Sequence, residues 1–292
     1  MASLKEIRIR ISSVKSTRQI TSAMKMVAAA RLRKSQDAIL RMRPYAQKLH
    51  EILTNLSAGL DTTEENIYAQ QREPGKILLV MISSNRGLCG SFNSNIIKRT
   101  NELITGKYAD QYRKGKVSFI AIGKKGADFL KKKKMNMLSS HNELFDNLTF
   151  ANITPVAESI MKRFVNKTYD RVELIYNEFK NPAVQILTNE QFLPIEMKEE
   201  EGVKLFYDYI FEPSKEYIVN DLIPKSLKVQ FFKALLDSYA SEHGARMTAM
   251  HQATDNATEL LRDLNLEYNK ARQAAITKEI LEIVSGAEAL KG

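Results

Sequence analysis

The sequence predicts an α/β protein in which the N- and C-terminal helices form a long antiparallel coiled coil beside a Rossmann-like α/β head. Three observations favour this class: two terminal stretches almost free of proline and glycine, an apolar repeat in each, and a middle that alternates buried strands with helices. The expected segments are a long helix over 1–60, a linker over 61–75, the head over 76–215 and a second long helix over 216–292.

The first 48 residues account for the whole formal charge of the chain. They hold twelve Lys and Arg against two acids, a net charge of +10, whereas the remaining residues hold 32 bases and 32 acids. This stretch has no glycine and one proline, Pro44, and its composition favours helix. An apolar seam is expected along it at the following positions: Leu4, Ile7, Ile11, Val14, then Ile20, Met24, Val27 and Leu32.

A basic amphipathic helix is compatible with several partners. It can lie on an anionic membrane, follow nucleic-acid phosphates, or serve as an organellar transit peptide. Charge alone leaves these alternatives open.

The other end of the chain contains a matching helix. From 225 to 285 there is no proline and one glycine, Gly244. Apolar residues follow alternating four- and three-residue steps at Ala257, Leu261, Leu264, Tyr268, Ala271 and Ala275, and resume at Ile276, Ile280, Ile283, Ala287 and Leu290. Such spacing is typical of a coiled-coil seam. Because neither terminal helix can bury its stripe alone, we expect them to pair antiparallel.

The middle of the chain predicts a small, open, mainly parallel sheet with an antiparallel edge. Buried strands are expected over 76–82, 116–122, 171–176 and 184–187, with a turn at Asn181-Pro182 before the last strand. Helices are expected over 93–105, after the second strand through Lys131, and in a segment led by Thr154-Pro155.

Composition and motifs argue against catalysis by this chain. No run approaches 18 apolar residues, so no transmembrane segment is expected, and the four histidines lack ligand spacing. A single cysteine, Cys89, excludes an intrachain disulfide and a cysteine-based metal site.

Two glycine-containing turns, at 87–90 and 123–126, lie where Rossmann-like folds bind phosphate, but neither completes a nucleotide motif. We interpret these glycines as shaping tight turns, and Cys89 as a buried small residue. The prediction is a protein without catalytic residues, cofactor or metal; a nucleotide-binding head is the alternative, and ATP or NAD binding would support it.

Motifs at both ends and in the middle resemble one family. Lys5-Glu6-Ile7-Arg8, Gln19-Ile20-Thr21 and the run 23–29 lie in the first helix, and Asn85-Arg86-Gly87-Leu88-Cys89-Gly90 follows the first strand. Ala253-Thr254-Asp255-Asn256-Ala257, the run 268–274 and Glu282-Ile283-Val284-Ser285-Gly286-Ala287 lie in the last helix. Together they resemble the gamma subunit of bacterial rotary (F-type) ATP synthases. Since the resemblance begins near Met1, we expect the basic helix to belong to the mature protein rather than to a transit peptide.

The resemblance implies a central rotor shaft. In this family the terminal helices pass through a hexamer of alpha and beta subunits, while the head is held by the epsilon subunit and the membrane c-subunit ring. Proton flow turns ring and shaft, and ATP chemistry takes place on beta. The implied location is the cytoplasmic face of the bacterial plasma membrane, as a peripheral protein with no nucleic acid partner.

The resemblance also implies residue roles. Contact with beta is implied for Met24, Lys25, Arg246, Gln273 and Thr277; contact with a hydrophobic collar of the hexamer for Ile280, Ile283, Val284 and Leu290; and a turn motif of the head for Arg86, Gly87, Cys89 and Gly90. Without the family, Met24 would be interpreted as seam packing, Arg246 as a solvated base and Gln273 as helix surface.

Overall fold

The computed structural model describes residues 4–58, 67–195 and 215–289. Its helices and strands follow in this order: α1 Leu4–Ala58, β1 Ile77–Ile82, α2 Phe92–Thr105, α3 Ala109–Arg113, β2 Val117–Ile122, α4 Lys124–Lys132, β3 Met137–His141, α5 Phe150–Val165, β4 Arg171–Phe179, β5 Gln185–Leu193 and α6 Lys215–Ala289. The predicted mixture of two long terminal helices and a central α/β region is confirmed. The acidic run Glu199-Glu200-Glu201 and the first half of the predicted linker lie outside the described residues.

The chain divides into two compact units. Residues 1–28 and 247–292 form one, here called the helical unit, and residues 29–246 form the other, here called the head unit. Both divisions fall within a long helix, so α1 and α6 each contribute to both units.

In the helical unit the two helices pair antiparallel. The Arg8 guanidinium donates to the Tyr268 hydroxyl at 2.8 Å, and the Thr254 hydroxyl donates to the Thr21 hydroxyl at 2.9 Å. Residue numbers therefore rise along one helix as they fall along the other. The antiparallel pairing predicted from the apolar spacing is confirmed.

The seam of α1 keeps a strict heptad spacing. Its buried and half-buried positions are Leu4, Ile7, Ile11, Val14, Arg18, Thr21, Lys25 and Ala28. The prediction is wrong at Ile20 and Val27, whose side chains are 60% and 55% exposed, whereas Met24 is half-buried and Leu32 is buried as predicted. Supercoiled helices hold a seven-residue period, so Thr21 takes the seam position and its hydroxyl is satisfied across the interface by Thr254.

The predicted seam of α6 is confirmed from Ala257 to Ala275, whose six positions are buried or half-buried. From Ile276 to Glu288 every residue is exposed. The second half of the predicted apolar pattern therefore has no partner within the described residues.

The head unit is built on a five-stranded sheet with the order β3-β2-β1-β4-β5. β1 pairs parallel with β2 and β4, β2 pairs parallel with β3, and β5 is antiparallel to β4. Alternate residues of β1 enter two cores: Leu78, Val80 and Ile82 pack with α5 and α6, and Ile77, Leu79 and Met81 pack with α2 and α4. Burial on both faces explains the continuous apolar run of this strand.

The head differs from the prediction in several elements, and the short helix α3 was not predicted. β3 was not predicted, because this edge strand is only half-buried and has no apolar run. β4 and β5 extend to Phe179 and Leu193, since polar residues on the edge strand continue the pairing. α5 begins at Phe150, not at Thr154-Pro155, and the Thr149 hydroxyl caps it by accepting from the Asn152 amide.

Candidate functional site

The loop after β1 is held by side-chain hydrogen bonds of its own residues. Asn93, in the first turn of α2, accepts from the Ser84 amide at 3.0 Å and donates to the Cys89 sulfur at 3.2 Å. The Ser84 hydroxyl donates to the Arg86 carbonyl at 2.6 Å. Gly90 has a φ of 55°, in the left-handed region that favours glycine. The predicted turn motif at Arg86, Gly87, Cys89 and Gly90 is thus one hydrogen-bonded structure.

Cys89 is buried and its thiol is poorly suited to nucleophilic attack. Burial raises the pKa of Cys89, outweighing the hydrogen bond with Ser84 and the positive charge of Arg246 that act to lower it. Because the thiolate is the reactive form, a raised pKa lowers reactivity at neutral pH. The interpretation of Cys89 as a buried small residue is confirmed.

The amide groups at the start of α4 are already used within the chain. Asn85 accepts from the Lys124 amide at 3.0 Å, the Ser84 carbonyl from the Lys125 amide at 3.0 Å, and the Ser83 hydroxyl from the Gly126 amide at 2.8 Å. A phosphate bound at a helix N-terminus would need these donors.

Gly123, which precedes α4, lies against the same loop. It has a φ of 97°, and a β-carbon there would lie 2.1 Å from the Ser83 carbonyl oxygen. Gly123 therefore permits close approach of two loops of the head, and its left-handed conformation fits the tight turn that was predicted from the sequence.

Arg246 joins α6 to the loop after β1. Its Nη2 donates to the carbonyl oxygens of Arg86 at 3.0 Å and Gly87 at 3.2 Å, and its Nε donates to the Gly87 carbonyl at 3.4 Å. Its Nη1 lies 2.7 Å from Glu242 Oε1 and 3.2 Å from His243 Nδ1. Arg246 is 7% exposed, so its interpretation as a solvated base is wrong.

Two buried titratable groups accompany Arg246. Burial raises the pKa of Glu242, while the charge and hydrogen bond of Arg246 act in the opposite direction. Burial, aided by the positive charges of Arg246 and Arg31, lowers the pKa of His243 to about 3. His243 is therefore neutral, and its Nδ1 accepts the hydrogen bond from Arg246. We call Glu242, His243, Arg246 and the carbonyl groups of Arg86 and Gly87 the Arg246 cluster.

Glu242 and His243 were not predicted from the sequence as functional residues. One signal was available for the first of them: Glu242 and Arg246 are four residues apart, the spacing at which opposite charges meet on a helix. No local pattern indicates that this turn of α6 is buried on all sides.

A second loop of the head contacts α6 beside the Arg246 cluster. A β-carbon at Gly244 would lie 3.2 Å from Pro182 Cα, in the turn between β4 and β5. Asn181 forms that turn by accepting from the amides of Ala183 and Val184 at 3.0 and 2.7 Å. Two head loops therefore hold α6 between residues 242 and 246.

The other predicted contact residues lie in the helical unit. Met24 and Lys25 are half-buried, and Lys25 occupies a seam position of α1. Gln273 and Thr277 are exposed on one face of α6, where the Thr277 hydroxyl donates to the Gln273 carbonyl at 2.9 Å. The structure thus groups Gln273 with Thr277 and places Arg246 elsewhere. Their contacts with another subunit remain predictions.

The end of α6 is an exposed apolar surface. Ile280, Ile283 and Val284 are 55%, 71% and 49% exposed, and Ile276 and Leu281 continue the surface. Leu290 lies outside the described residues. Exposed apolar side chains at this density mark an interaction surface.

Within residues 4–58, 67–195 and 215–289, no group of His, Cys, Asp and Glu is arranged to hold a metal ion. No helix in the described part of the chain has both the length and the apolarity needed to cross a membrane.

Comparison with known proteins confirms the resemblance seen in the sequence. A family model described as ATP synthase matches residues 3–290. The chain is 59% identical to the ATP synthase gamma chain of Flavobacterium johnsoniae over 292 residues, covering all of both chains. It is 56% identical to that of Cytophaga hutchinsonii, covering 99% of each.

Solved structures share the fold. A chain of the Euglena gracilis mitochondrial ATP synthase, from an OSCP/F1/c-ring structure in rotational state 3, has a TM-score of 0.71 at 23% identity, covering 98% of this chain and 94% of that one. A chain from the central stalk and c-ring of the Tetrahymena thermophila mitochondrial enzyme has a TM-score of 0.57 at 26% identity, covering 80% and 99%. With both ends, the head and nearly every residue matched, the protein belongs to the family of ATP synthase gamma chains.

Proposed function

We propose that this chain is the central rotor shaft of a proton-translocating ATP synthase. It couples rotation of a membrane c-subunit ring to ATP synthesis, and to hydrolysis, on beta subunits. The observation that carries the proposal is the sequence identity of 59% and 56% to two bacterial gamma chains, which extends over at least 99% of each chain. The paired helices of the helical unit, with most of their side chains exposed, support it as the surface that a surrounding hexamer would contact.

The chain itself is proposed to be non-catalytic. The amides at the start of α4 are bonded to Ser83, Ser84 and Asn85, which leaves them unavailable to a nucleotide phosphate. The raised pKa of Cys89 and the lack of a histidine beside it in the hydrogen-bonded loop argue against a thiol nucleophile. ATP chemistry is assigned to the beta subunits.

Contacts with beta are proposed along the helical unit, at the half-buried Lys25 and at residues exposed on α1 and α6. Lys25 and the neighbouring bases of α1 meet acidic loops of the beta subunits in turn, and Gln273 with Thr277 bonds to a second beta loop. The exposed bases of α1 attract the acidic beta loops at long range, and each of these charge pairs is individually weak. No single rotor angle is therefore a deep energy minimum. The exposed apolar end of α6, with Ile280, Ile283 and Val284, fits a hydrophobic collar at the top of the hexamer.

Arg246 is proposed to act on the same function through the head. Its donors hold the loop after β1 against α6. Because two head loops contact α6 between residues 242 and 246, this turn adds to the core packing of α6 in transmitting torque from the head. A direct bond from Arg246 to beta, as the family implies, would require exchange of these internal hydrogen bonds.

The remaining partners are the alpha and epsilon subunits and the c-subunit ring, and the location is the cytoplasmic face of the bacterial plasma membrane. Reconstitution tests the whole proposal. Alpha and beta subunits with the purified chain should form a complex of fixed stoichiometry with higher ATP turnover than alpha and beta alone, and the chain alone should hydrolyse nothing. Hydrolysis by the purified chain that is lost on Gly87→Ala or Gly90→Ala, or failure to assemble, would overturn it.

A further inference from the structure

The amino-terminal edge of the head sheet gathers basic residues from four separate stretches of the sequence. Ile77, the first residue of β1, lies opposite Val117 of β2 and Arg171 of β4, so these strands begin together. The residues just before β1 and β2 are Lys76 and Lys116, and the lysine run 131–134 precedes β3. We call Lys76, Lys114, Lys116, the run 131–134 and Lys167 the basic edge.

Hydrogen bonds confirm that these stretches share one edge. The Lys116 carbonyl accepts from the Ile77 amide at 2.9 Å, and the Lys76 carbonyl accepts from the Asp170 amide at 2.8 Å. The Asn136 carbonyl, two residues after Lys134, accepts from the Phe119 amide at 2.9 Å.

Two lysines of the basic edge lie where glycine is the usual residue. α3, α4 and α5 all end in the same pair of backbone hydrogen bonds, with one residue in the left-handed conformation. In α3 that residue is Gly115, with a φ of 68°, but in α4 it is Lys134, with a φ of 54°, and in α5 it is Lys167, with a φ of 56°. A side chain is strained in this region, so glycine would fit better. Both positions present a positive charge in spite of this strain.

The lysines of the run are exposed and unpaired. All four are exposed, and within the described ranges no carboxylate lies within 4.0 Å of their ammonium groups. The acids nearby leave an excess of positive charge: Asp110 pairs with Arg113 at 4.0 Å, Asp170 accepts from the Lys76 amide at 2.7 Å, and Asp128 is one turn before Lys131. Attraction to helix C-termini acts only near the last turn of a helix, which accounts for Lys114 at the end of α3 but leaves Lys76 and Lys116 unexplained.

We propose that the basic edge binds an anionic phospholipid surface. Its charges are lysines, which act as hydrated point charges and suit a diffuse layer of headgroup phosphates better than a single bidentate ligand. They are spread along an open rim formed by several loops. This inference rests on the proposed function, which brings the head unit close to the bilayer that holds the c-subunit ring.

The test uses the chain assembled with alpha and beta subunits, so that the basic helix α1 is enclosed by the hexamer. Co-sedimentation with vesicles of phosphatidylcholine, with and without 30% phosphatidylglycerol, compares the wild type with Lys131→Gln/Lys132→Gln/Lys133→Gln. The matched control is Lys98→Gln/Lys124→Gln/Lys125→Gln, three exposed lysines on α2 and α4 away from this edge. Thermal unfolding should show both triples folded at the temperature of the assay, and their ATP turnover should equal that of the wild type.

We expect the edge triple to lower the partition coefficient on anionic vesicles about 100-fold at low salt, at roughly fivefold per lysine, and the control triple to change it less than threefold. Binding should vanish on vesicles without phosphatidylglycerol and weaken with salt. Equal loss in both triples, or no loss in the edge triple, would overturn the proposal. The proposal would also be overturned if the edge triple bound vesicles normally but no longer bound the detergent-solubilised ring. That result would identify an acidic protein as the partner of the basic edge.

Failure of the proposed function is distinguishable from failure of this inference. If the chain does not assemble with alpha and beta, the proposed function fails, and the same two triples are then compared on the chain alone. In the isolated chain, α1 contributes equally to the vesicle binding of both triple variants. The difference in their partition coefficients therefore still measures the contribution of the basic edge.

Discussion

The guanidinium of Arg246 donates two hydrogen bonds to the carbonyl oxygen of Gly87, from Nη2 at 3.2 Å and from Nε at 3.4 Å. The two residues are 159 positions apart in sequence. The bond therefore connects α6, near the point where it leaves the head unit, to the loop after β1. A planar guanidinium can reach the loop, Glu242 and His243 at once, which a lysine ammonium cannot do in the same geometry.

Replacing Arg246 with alanine should destabilise the head unit. The change leaves Glu242 buried without its counter-charge and two carbonyl groups without their donor, so we expect a loss of about 3 kcal/mol in the free energy of unfolding. Arg246→Lys should lose less. Arg262→Ala, an exposed arginine in the same helix, is the control and should change stability by less than about 0.5 kcal/mol. Urea unfolding of the three variants measures these differences, and equal effects at Arg246 and Arg262 would refute the assignment.

The pH dependence of the Arg246→Ala variant should have a definite sign. Burial already raises the pKa of Glu242, and removal of Arg246 raises it further. A folded-state pKa above the unfolded value means that the folded protein binds more protons, so stability is greatest at low pH and is lost as pH rises. The free energy lost on Arg246→Ala should therefore be larger at pH 8 than at pH 5. A loss that is independent of pH would contradict the burial of an ionised Glu242.

His243 should make the protein less stable in mild acid. Its pKa of about 3 in the folded state lies below the ordinary value near 6.5, so the unfolded chain binds the proton more readily. Stability from His243 is complete above about pH 6.5 and falls by about 1.4 kcal/mol per unit below it. Between pH 7.5 and 5.5, His243→Gln should remove about 1.4 kcal/mol of the decrease seen in the wild type. His251→Gln, at an exposed histidine paired with Asp255, should not remove this decrease.

The hydroxyl pair in the seam predicts a coupled effect on coiled-coil stability. Thr254 donates to Thr21 at 2.9 Å, at a position where the heptad period would otherwise place apolar side chains. Thr21→Val alone leaves the Thr254 hydroxyl without one partner in the seam, and should cost about 1 kcal/mol. Combined with Thr254→Val, the loss should be smaller than the sum of the two single losses by at least about 0.5 kcal/mol. Additive losses in a double-mutant cycle would show that this bond contributes nothing.

Gln273 and Thr277 should affect turnover without affecting folding. Both are exposed, so alanine at either position should leave thermal unfolding of the chain unchanged. If each makes one neutral hydrogen bond with a beta loop, each loss is at most about 1.5 kcal/mol, or roughly tenfold in ATP turnover of the reconstituted complex. Gln252→Ala, the same substitution at another exposed position of α6, provides the control. Wild-type turnover in both variants would end the assignment.

The sequence by itself determined the elements whose cause is local or periodic. The apolar run 77–82 indicated a strand buried on both faces, and the alternating spacing from Ala257 to Ala275 predicted both the helix and its paired face. Family motifs at both ends identified the gamma chain. The strand β3 could not be predicted in the same way, because an edge strand without an apolar run has no period to detect.

Only the tertiary structure decided which polar side chains are buried. Arg246 looks like a surface base in sequence, and it is buried because two loops, from positions 86–87 and 182, close on the same turn of α6. Thr21 replaces Ile20 in the seam because supercoiling keeps a period of seven rather than following hydrophobicity residue by residue. The basic edge exists because strands running in parallel begin at one side of the sheet, so lysines far apart in the chain become neighbours. Contacts between residues that are far apart in the sequence determine these environments, and no local sequence pattern predicts such contacts.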